Sequence, residues 1–255
     1  MNSVFYDMIF KRKSFHIFLN VGNESIGRQE LEDIQKAYAG FAPLCPGIKT
    51  AIRILPAKET SCKNGGEYCI LLYSEKKDGY LQNIGYLGEQ LDLYLVSKNI
   101  GTLWFGLGKT NEEPFADMAF VIMFSIRKIS DGSKYRKDMF KSKRKSAEEI
   151  WEGDRISGVT EIARFAPSAC NSQPWRVKYD GELSVYRYKK PGRTGIMPAD
   201  KVAFYNRIDM GIFLCFMDIC LAHSGIVFEK TLYPDAGEDA EYVLNATYRL
   251  DRQNP

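Results

Sequence analysis

The stretch "FAPSACNSQPW", residues 165–175, sets Ser168, Asn171, Ser172 and Gln173 between two prolines and closes on Trp175. It has no glycine, yet it is dense in side-chain donors and acceptors, which suits a surface that holds something polar. A second stretch, "FAPLCPGIKTA" at residues 41–51, opens on the same Phe-Ala-Pro and then loses nearly all of the polar residues. Phe41 and Phe165 lie 124 positions apart, and the same offset pairs Ala39 with Ala163, Ile84 with Ile208 and Gly101 with Gly225.

Between loop and glycine, each half carries a long apolar or amphipathic pattern, residues 79–101 in the first and 202–225 in the second. Leu87, Leu91, Tyr94 and Leu95 fall at helical spacing, as do Ile212, Cys215, Phe216 and Ile219. Each pattern ends at a Gly, which tolerates a left-handed C-cap. The period is too long for a solenoid. It predicts two related halves, residues 1–126 and 151–255, packed as an internal copy of a two-fold dimer and joined by a basic segment, 127–150.

Strand signals fit the same scheme. "EYCILLYS" (67–74) and "MAFVIMFSI" (118–126) read as central strands, and "WRVKYDGELSVYRY" (175–188) as a hairpin turning at Asp180-Gly181. "EYVLNATYRL" (241–250) reads as a last strand. The class expected is α+β, with core helices against antiparallel-rich sheets.

Composition sets the limits. The 255 residues are 45% hydrophobic and 26% charged, enough for a buried core without disulfide or metal staples. Six cysteines form no C-x-x-C pair and only two histidines are present, so no metal site is expected and the thiols read as free, in a cytoplasmic protein. The N-terminus lacks the order of a signal peptide, and the longest apolar run (210–222) contains Asp218 and is too short for a bilayer helix, so no membrane partner is expected. Residues 127–145 hold nine Lys or Arg against Asp131 and Asp138, leaving the rest of the chain net negative. Such a stripe can bind phosphate, nucleic acid or a membrane surface, or be a solvated face.

Three further pieces carry chemistry. "FKRKSFHIF" (10–18) puts Lys11, Arg12 and Lys13 beside Ser14, a possible phosphate or carboxylate clamp or a plain solvated surface. "NIGTLWFGLGK" (99–109) reads as a loop whose glycines let the backbone approach a flat ligand, or as a simple turn. It has neither P-loop order nor the strand-first context of a dinucleotide fingerprint. In "KSKRKSAEEIW" (141–151), Ser146 and Glu149 have capping-box spacing, with Arg144 and Lys145 just ahead of the helix start.

Together these segments resemble the FMN-dependent nitroreductase superfamily, and more narrowly its internally duplicated single-chain branch. "RKSFHIF" is similar to the family's opening R-R-S-x-R-x-F, and "NIGTLWFGLG" to its L-G-T-C-W-I-G-G loop. "KRKSAEEIW" is similar to its R-K-P-L-E-E-I-V close. "FAPSACNSQPWRV" is similar to its A-P-S-x-x-N-x-Q-P-W-x-F loop, the most specific of the four. His16 departs from the pattern, standing where a second Arg is usual, and Leu44, Gly47 and Lys49 stand where the second half has Ser168, Asn171 and Gln173.

The resemblance implies a nitroreductase-like pseudo-dimer with one working flavin site between the halves and one decayed site. It implies that Arg12, Lys13 and Ser14, with Arg144 and Lys145, hold the FMN phosphate and ribityl chain. Ser168, Asn171 and Gln173 would bond the ring edge and ribityl hydroxyls, Pro167 would shape the turn, and the Gly106–Leu107 backbone would face the hydride-accepting ring nitrogen. The implied activity is ping-pong transfer from NADH or NADPH to a small-molecule acceptor such as a nitroaromatic or quinone. The internal duplication makes a monomer plausible. A flavin-storage protein of the same fold is the alternative. A nucleic-acid-binding module using residues 127–145 is disfavoured, because aromatics are not interleaved with its cations.

Overall fold

The computed structural model describes residues 4–111, 114–189, 195, 197–233, 235 and 240–251. They fall into two compact units that interleave in sequence. One comprises Asp7–Tyr80 and Leu87–Phe140; the other takes the chain up to Tyr6, Leu81–Tyr86 and everything from Lys141 onward. The six residues Leu81–Tyr86 group with the later part of the chain, and the segment 127–150 is divided after Phe140.

The first unit is built on α2 (Arg28–Ala39), β1 (Thr50–Pro56), β2 (Tyr68–Ser74), β3 (Ile100–Phe105) and β4 (Ala119–Lys128), with the parts of α1 (Val4–Lys11) from Asp7 and of α3 (Tyr80–Ser97) from Leu87. Its four strands are antiparallel in the order β1-β2-β4-β3. The two strands read from sequence are the central pair. β2 is buried from Cys69 to Ser74, as a strand covered on both faces must be.

The reading of 99–109 as a loop is corrected. Ile100–Phe105 form edge strand β3, paired with Lys128–Met123, because Ile, Thr, Leu, Trp and Phe suit a pleated surface. The turn begins only at Gly106, where the Gly108 N–H donates to the Phe105 carbonyl at 3.1 Å. Edge strand β1 was not anticipated. It ends on Pro56, whose missing N–H an edge tolerates.

The second unit adds α4 (Ala147–Ile150), β5 (Trp151–Gly153), α5 (Thr160–Ala163), β6 (Trp175–Asp180), β7 (Glu182–Tyr188), α6 (Val202–His223), β8 (Val227–Leu232) and β9 (Tyr242–Asp251). Its sheet runs β5-β6-β7-β9-β8, with β5 parallel to β6 and the other pairs antiparallel. The expected hairpin is β6–β7, centred on Gly181 at φ +74°. Setting β5 aside, both sheets list their strands in the same way: first, second, fourth, third in chain order.

α6 is buried along most of its length, which is why its sequence is apolar all round. Its internal Asp218 accepts from Tyr86 Oη at 2.7 Å, Tyr248 Oη at 2.8 Å and Lys230 Nζ at 2.6 Å. A carboxylate so satisfied is tolerated in a core. Trp175 is buried and stacks on Phe213, ring centroids 4.8 Å apart, and His223 stacks on Tyr6 at 3.5 Å. Both residues therefore anchor structure. The six cysteines are free thiols. No helix among the described residues is long and apolar enough to cross a membrane, and no cluster of metal-ligating side chains occurs among them.

Candidate functional site

In the second unit, five of the side chains singled out in the sequence converge. After α5 the chain crosses buried Phe165, Ala166 and Pro167 and enters a single 3-10 turn, Ala169–Asn171. Cys170, Asn171 and Gln173 have φ of +50°, +55° and +49°. Non-glycine residues in this left-handed region cost free energy, so surrounding contacts must hold them there.

Those contacts are specific. The Gln173 N–H donates to Ser168 Oγ at 3.0 Å, and the Lys145 N–H donates to Gln173 Oε1 at 2.7 Å. Asn171 Nδ2 donates to the Lys143 carbonyl at 2.9 Å, while its Oδ1 accepts from Arg144. Lys145 Nζ lies 3.4 and 3.3 Å from the Ser172 and Gln173 carbonyls. The loop therefore closes on the basic segment just before α4. That helix begins as its sequence predicts, with the Ser146 N–H bonded to Glu149 Oε2 at 2.8 Å in a capping box. It lasts one turn because Trp151 enters β5.

α6 closes the loop from beneath. Asp209, only 2% exposed, accepts from the Ala169 N–H at 2.9 Å and from Ser172 Oγ at 3.1 Å. Asn206 lies one turn earlier, its Oδ1 3.5 Å from the same hydroxyl. The sequence reading missed both residues, since each sits within a helical run and shows no motif. The available signal was a pair of polar residues three positions apart at the start of a largely apolar helix. Burial pushes the Asp209 carboxyl up to about 8, against the pull of the Ala169 N–H and the Ser172 hydroxyl.

A proton is therefore held by the folded state and released by the unfolded one over the range from about pH 4 to about pH 8. The stability this contributes is full below the unfolded value and lost as pH rises through the folded value. Asp209→Asn is expected to flatten the decline in melting temperature across that range. An identical slope in both proteins would contradict it.

The first unit treats its candidates differently. Arg12 does not present its charge to solvent. The guanidinium is 3% exposed, with Nε 2.6 Å from Asp92 Oδ2 and 3.4 Å from Glu89 Oε1. Asp92 also accepts from Thr102 Oγ1 at 2.5 Å and Trp104 Nε1 at 3.1 Å. In this geometry the Arg12 guanidinium is turned toward two buried acidic side chains, as an internal counter-ion. Lys13 is exposed, with Nζ donating to the Lys134 carbonyl at 3.0 Å. Ser14 pairs with Thr102 beside β3. Gly106 and Leu107 form the turn that ends β3, and the Leu107 side chain is 56% exposed.

The fit to a flavin nucleotide can be judged within the second unit. Arg144 and Lys145 supply cations for a phosphate, while Ser168 and Asn171 supply a hydroxyl and an amide for hydroxyl or ring-edge bonding. The donor set fits FMN. The Arg12 cluster, with two carboxylates, does not fit a phosphate.

An α+β chain with two antiparallel-rich sheets, long buried helices and a Pro-Ser-x-x-Asn-x-Gln-Pro-Trp loop belongs to the nitroreductase-fold class. The family model described as "Putative TM nitroreductase" matches residues 5–221, and the chain belongs to that family. A crystal structure described as a "putative nitroreductase" from Thermotoga maritima is 20% identical, with a TM-score of 0.60 over 98% of this chain and 94% of that one. A nitroreductase family protein from Clostridium difficile is 10% identical, with a TM-score of 0.46 over 61% of this chain and 100% of its own. A "putative nitroreductase in complex with FMN" from Desulfovibrio desulfuricans is 16% identical, with a TM-score of 0.42 over 61% of this chain and 99% of its own. No curated protein matches the chain.

Proposed function

We propose that this nitroreductase-family protein is an FMN-dependent oxidoreductase. It would take reducing equivalents from NADH or NADPH and pass them to a nitroaromatic, quinone or related small acceptor in ping-pong order. The observation that carries the reading is the joining of Arg144, Lys145, Ser168, Asn171 and Gln173 in one hydrogen-bonded loop. Family membership adds support. The matching strand order of the two sheets supports a common origin for the two parts of the chain.

Bound FMN would supply the hydride and electron chemistry; the protein supplies position and electrostatics. Arg144 and Lys145 would neutralise the phosphate. Asn171, whose amide already has an arginine and a backbone carbonyl as partners, would exchange part of that network for cofactor contacts. Ser168 would offer its hydroxyl, and buried Pro167 holds the entry to the turn. Lys13, Ser14 and the Gly106–Leu107 turn are proposed as further contacts on the family resemblance alone. Backbone amides at Gly106 and Leu107 leave a ring edge accessible where a bulky side chain at position 106 would obstruct it.

The test is the visible spectrum and flavin-to-chain ratio of the purified protein after incubation with FMN, followed by NAD(P)H oxidation with menadione or a nitroaromatic. One flavin per chain and acceptor-dependent turnover are expected. Arg144→Ala should weaken FMN binding by about tenfold to a hundredfold, the equivalent of one charge-assisted hydrogen bond. Lys49→Ala, in the apolar twin loop, should leave it unchanged. Colourless protein at saturating FMN would refute the proposal, and bound flavin with no turnover by any acceptor would favour storage.

A further inference from the structure

The cofactor loop holds three non-glycine residues in the left-handed region, and such a conformation persists only where neighbours over-determine it. From above, the basic segment grips the loop through Asn171 and Gln173. Those are side chains a cofactor would engage, so their bonds are exchangeable. From below, Asp209 grips the backbone at Ala169 and the side chain at Ser172. These two attachments flank Cys170 and Asn171, and neither uses a proposed cofactor contact. Asp209 projects from α6, a helix fixed by its burial.

We propose, resting on the FMN reading above, that Asp209 is the positioning residue of the cofactor loop. Its two hydrogen bonds hold residues 168–173 in the strained turn from which Ser168 and Asn171 meet the flavin. Asn206 assists at Ser172 as a weaker partner. The Asp209 carboxyl group touches neither cofactor nor substrate and acts through the loop.

Asp209→Ala removes both acceptors. Asp209→Asn keeps the shape and the oxygen that faces the Ala169 N–H, and Ser172 can reverse its bond to accept from the new amide. FMN affinity would be measured by flavin fluorescence quenching for wild type and both variants, alongside melting temperature. In the cofactor-free proteins, amide hydrogen exchange at Ala169 and Gln173 reports the loop directly. Asp209→Ala is expected to raise the FMN dissociation constant about tenfold or more and to speed exchange at both amides comparably. Asp209→Asn should stay within about threefold of wild type on both measures.

Wild-type affinity in Asp209→Ala, or equal losses in the two variants, would overturn the proposal while leaving the FMN reading intact. Unchanged exchange at Ala169 in Asp209→Ala would also overturn it. A wild-type protein that binds no FMN sinks the parent reading, and this proposal with it.

Discussion

Gly85→Ala is expected to destabilise the protein by about 3 kcal/mol or more, although alanine is the better helix former by about 1 kcal/mol. Gly85 lies in α3 within Leu81–Tyr86, the piece that belongs to the second unit. A Cβ there would stand 2.0 Å from the Ile208 carbonyl oxygen and 3.2 Å from the Gly211 Cα. The reciprocal substitution, Gly211→Ala, would put a Cβ 1.9 Å from the Gln82 carbonyl oxygen and 2.8 Å from the Tyr86 nitrogen. These neighbours are backbone atoms of helices, which cannot swing aside as a side-chain tip can. Relief requires the two helix segments to separate, with loss of packing around them. Gly47→Ala, where nothing lies within 4 Å of the new methyl, is the control and should stay within about 0.5 kcal/mol of wild type. Urea unfolding of the three variants decides it. A Gly85→Ala protein as stable as wild type would show that the segments do not pack backbone to backbone.

Arg12→Ala should be of similar size, about 3–5 kcal/mol, because it leaves the fully buried acidic side chains of Asp92 and Glu89 without the guanidinium they face. Burial drives the Glu89 carboxyl well above the usual carboxylate range, despite the nearby Arg12 guanidinium, so the proton-bearing form is favoured there. Asp92 accepts hydrogen bonds from Arg12, Thr102 and Trp104. The sign follows: stability from the Glu89 proton is full below its unfolded value and lost as pH rises through the folded one. Glu89→Gln should therefore be mild at low pH and relatively stabilising at high pH, while Arg12→Ala, which removes the donor itself, should be damaging without that pH-dependent gain. Thermal melts across pH separate the cases. If Arg12→Ala melts like wild type and loses only FMN, Arg12 is a phosphate ligand after all.

Much of the candidate site is legible in the sequence because its chemistry is local. Ser168, Asn171 and Gln173 lie within six positions, and Arg144 and Lys145 adjoin a capping box that reads directly from Ser146 and Glu149. The surroundings of Arg12 are hidden for the opposite reason. Nothing in "FKRKSFHIF" reveals that Glu89 and Asp92, some eighty positions away, bracket its guanidinium. β3 reads as loop in the sequence because Gly101 within it and Gly106 and Gly108 just after it obscure a short run of strand-forming residues, and edge strand β1 carries too weak an alternation to stand out.

The order of apolar and polar residues along the chain settled the α+β class, the central strands, the β6–β7 hairpin and the polar loop. Each depends on neighbours a few positions apart, where periodicity and turn chemistry act. Only the folded chain decided which carboxylate meets which cation, that Leu81–Tyr86 crosses to the second unit, and that Asp209 stands beneath the loop. Those outcomes turn on burial and on contacts between distant residues, where desolvation sets the value of a charge and backbone approach sets the value of a missing methyl.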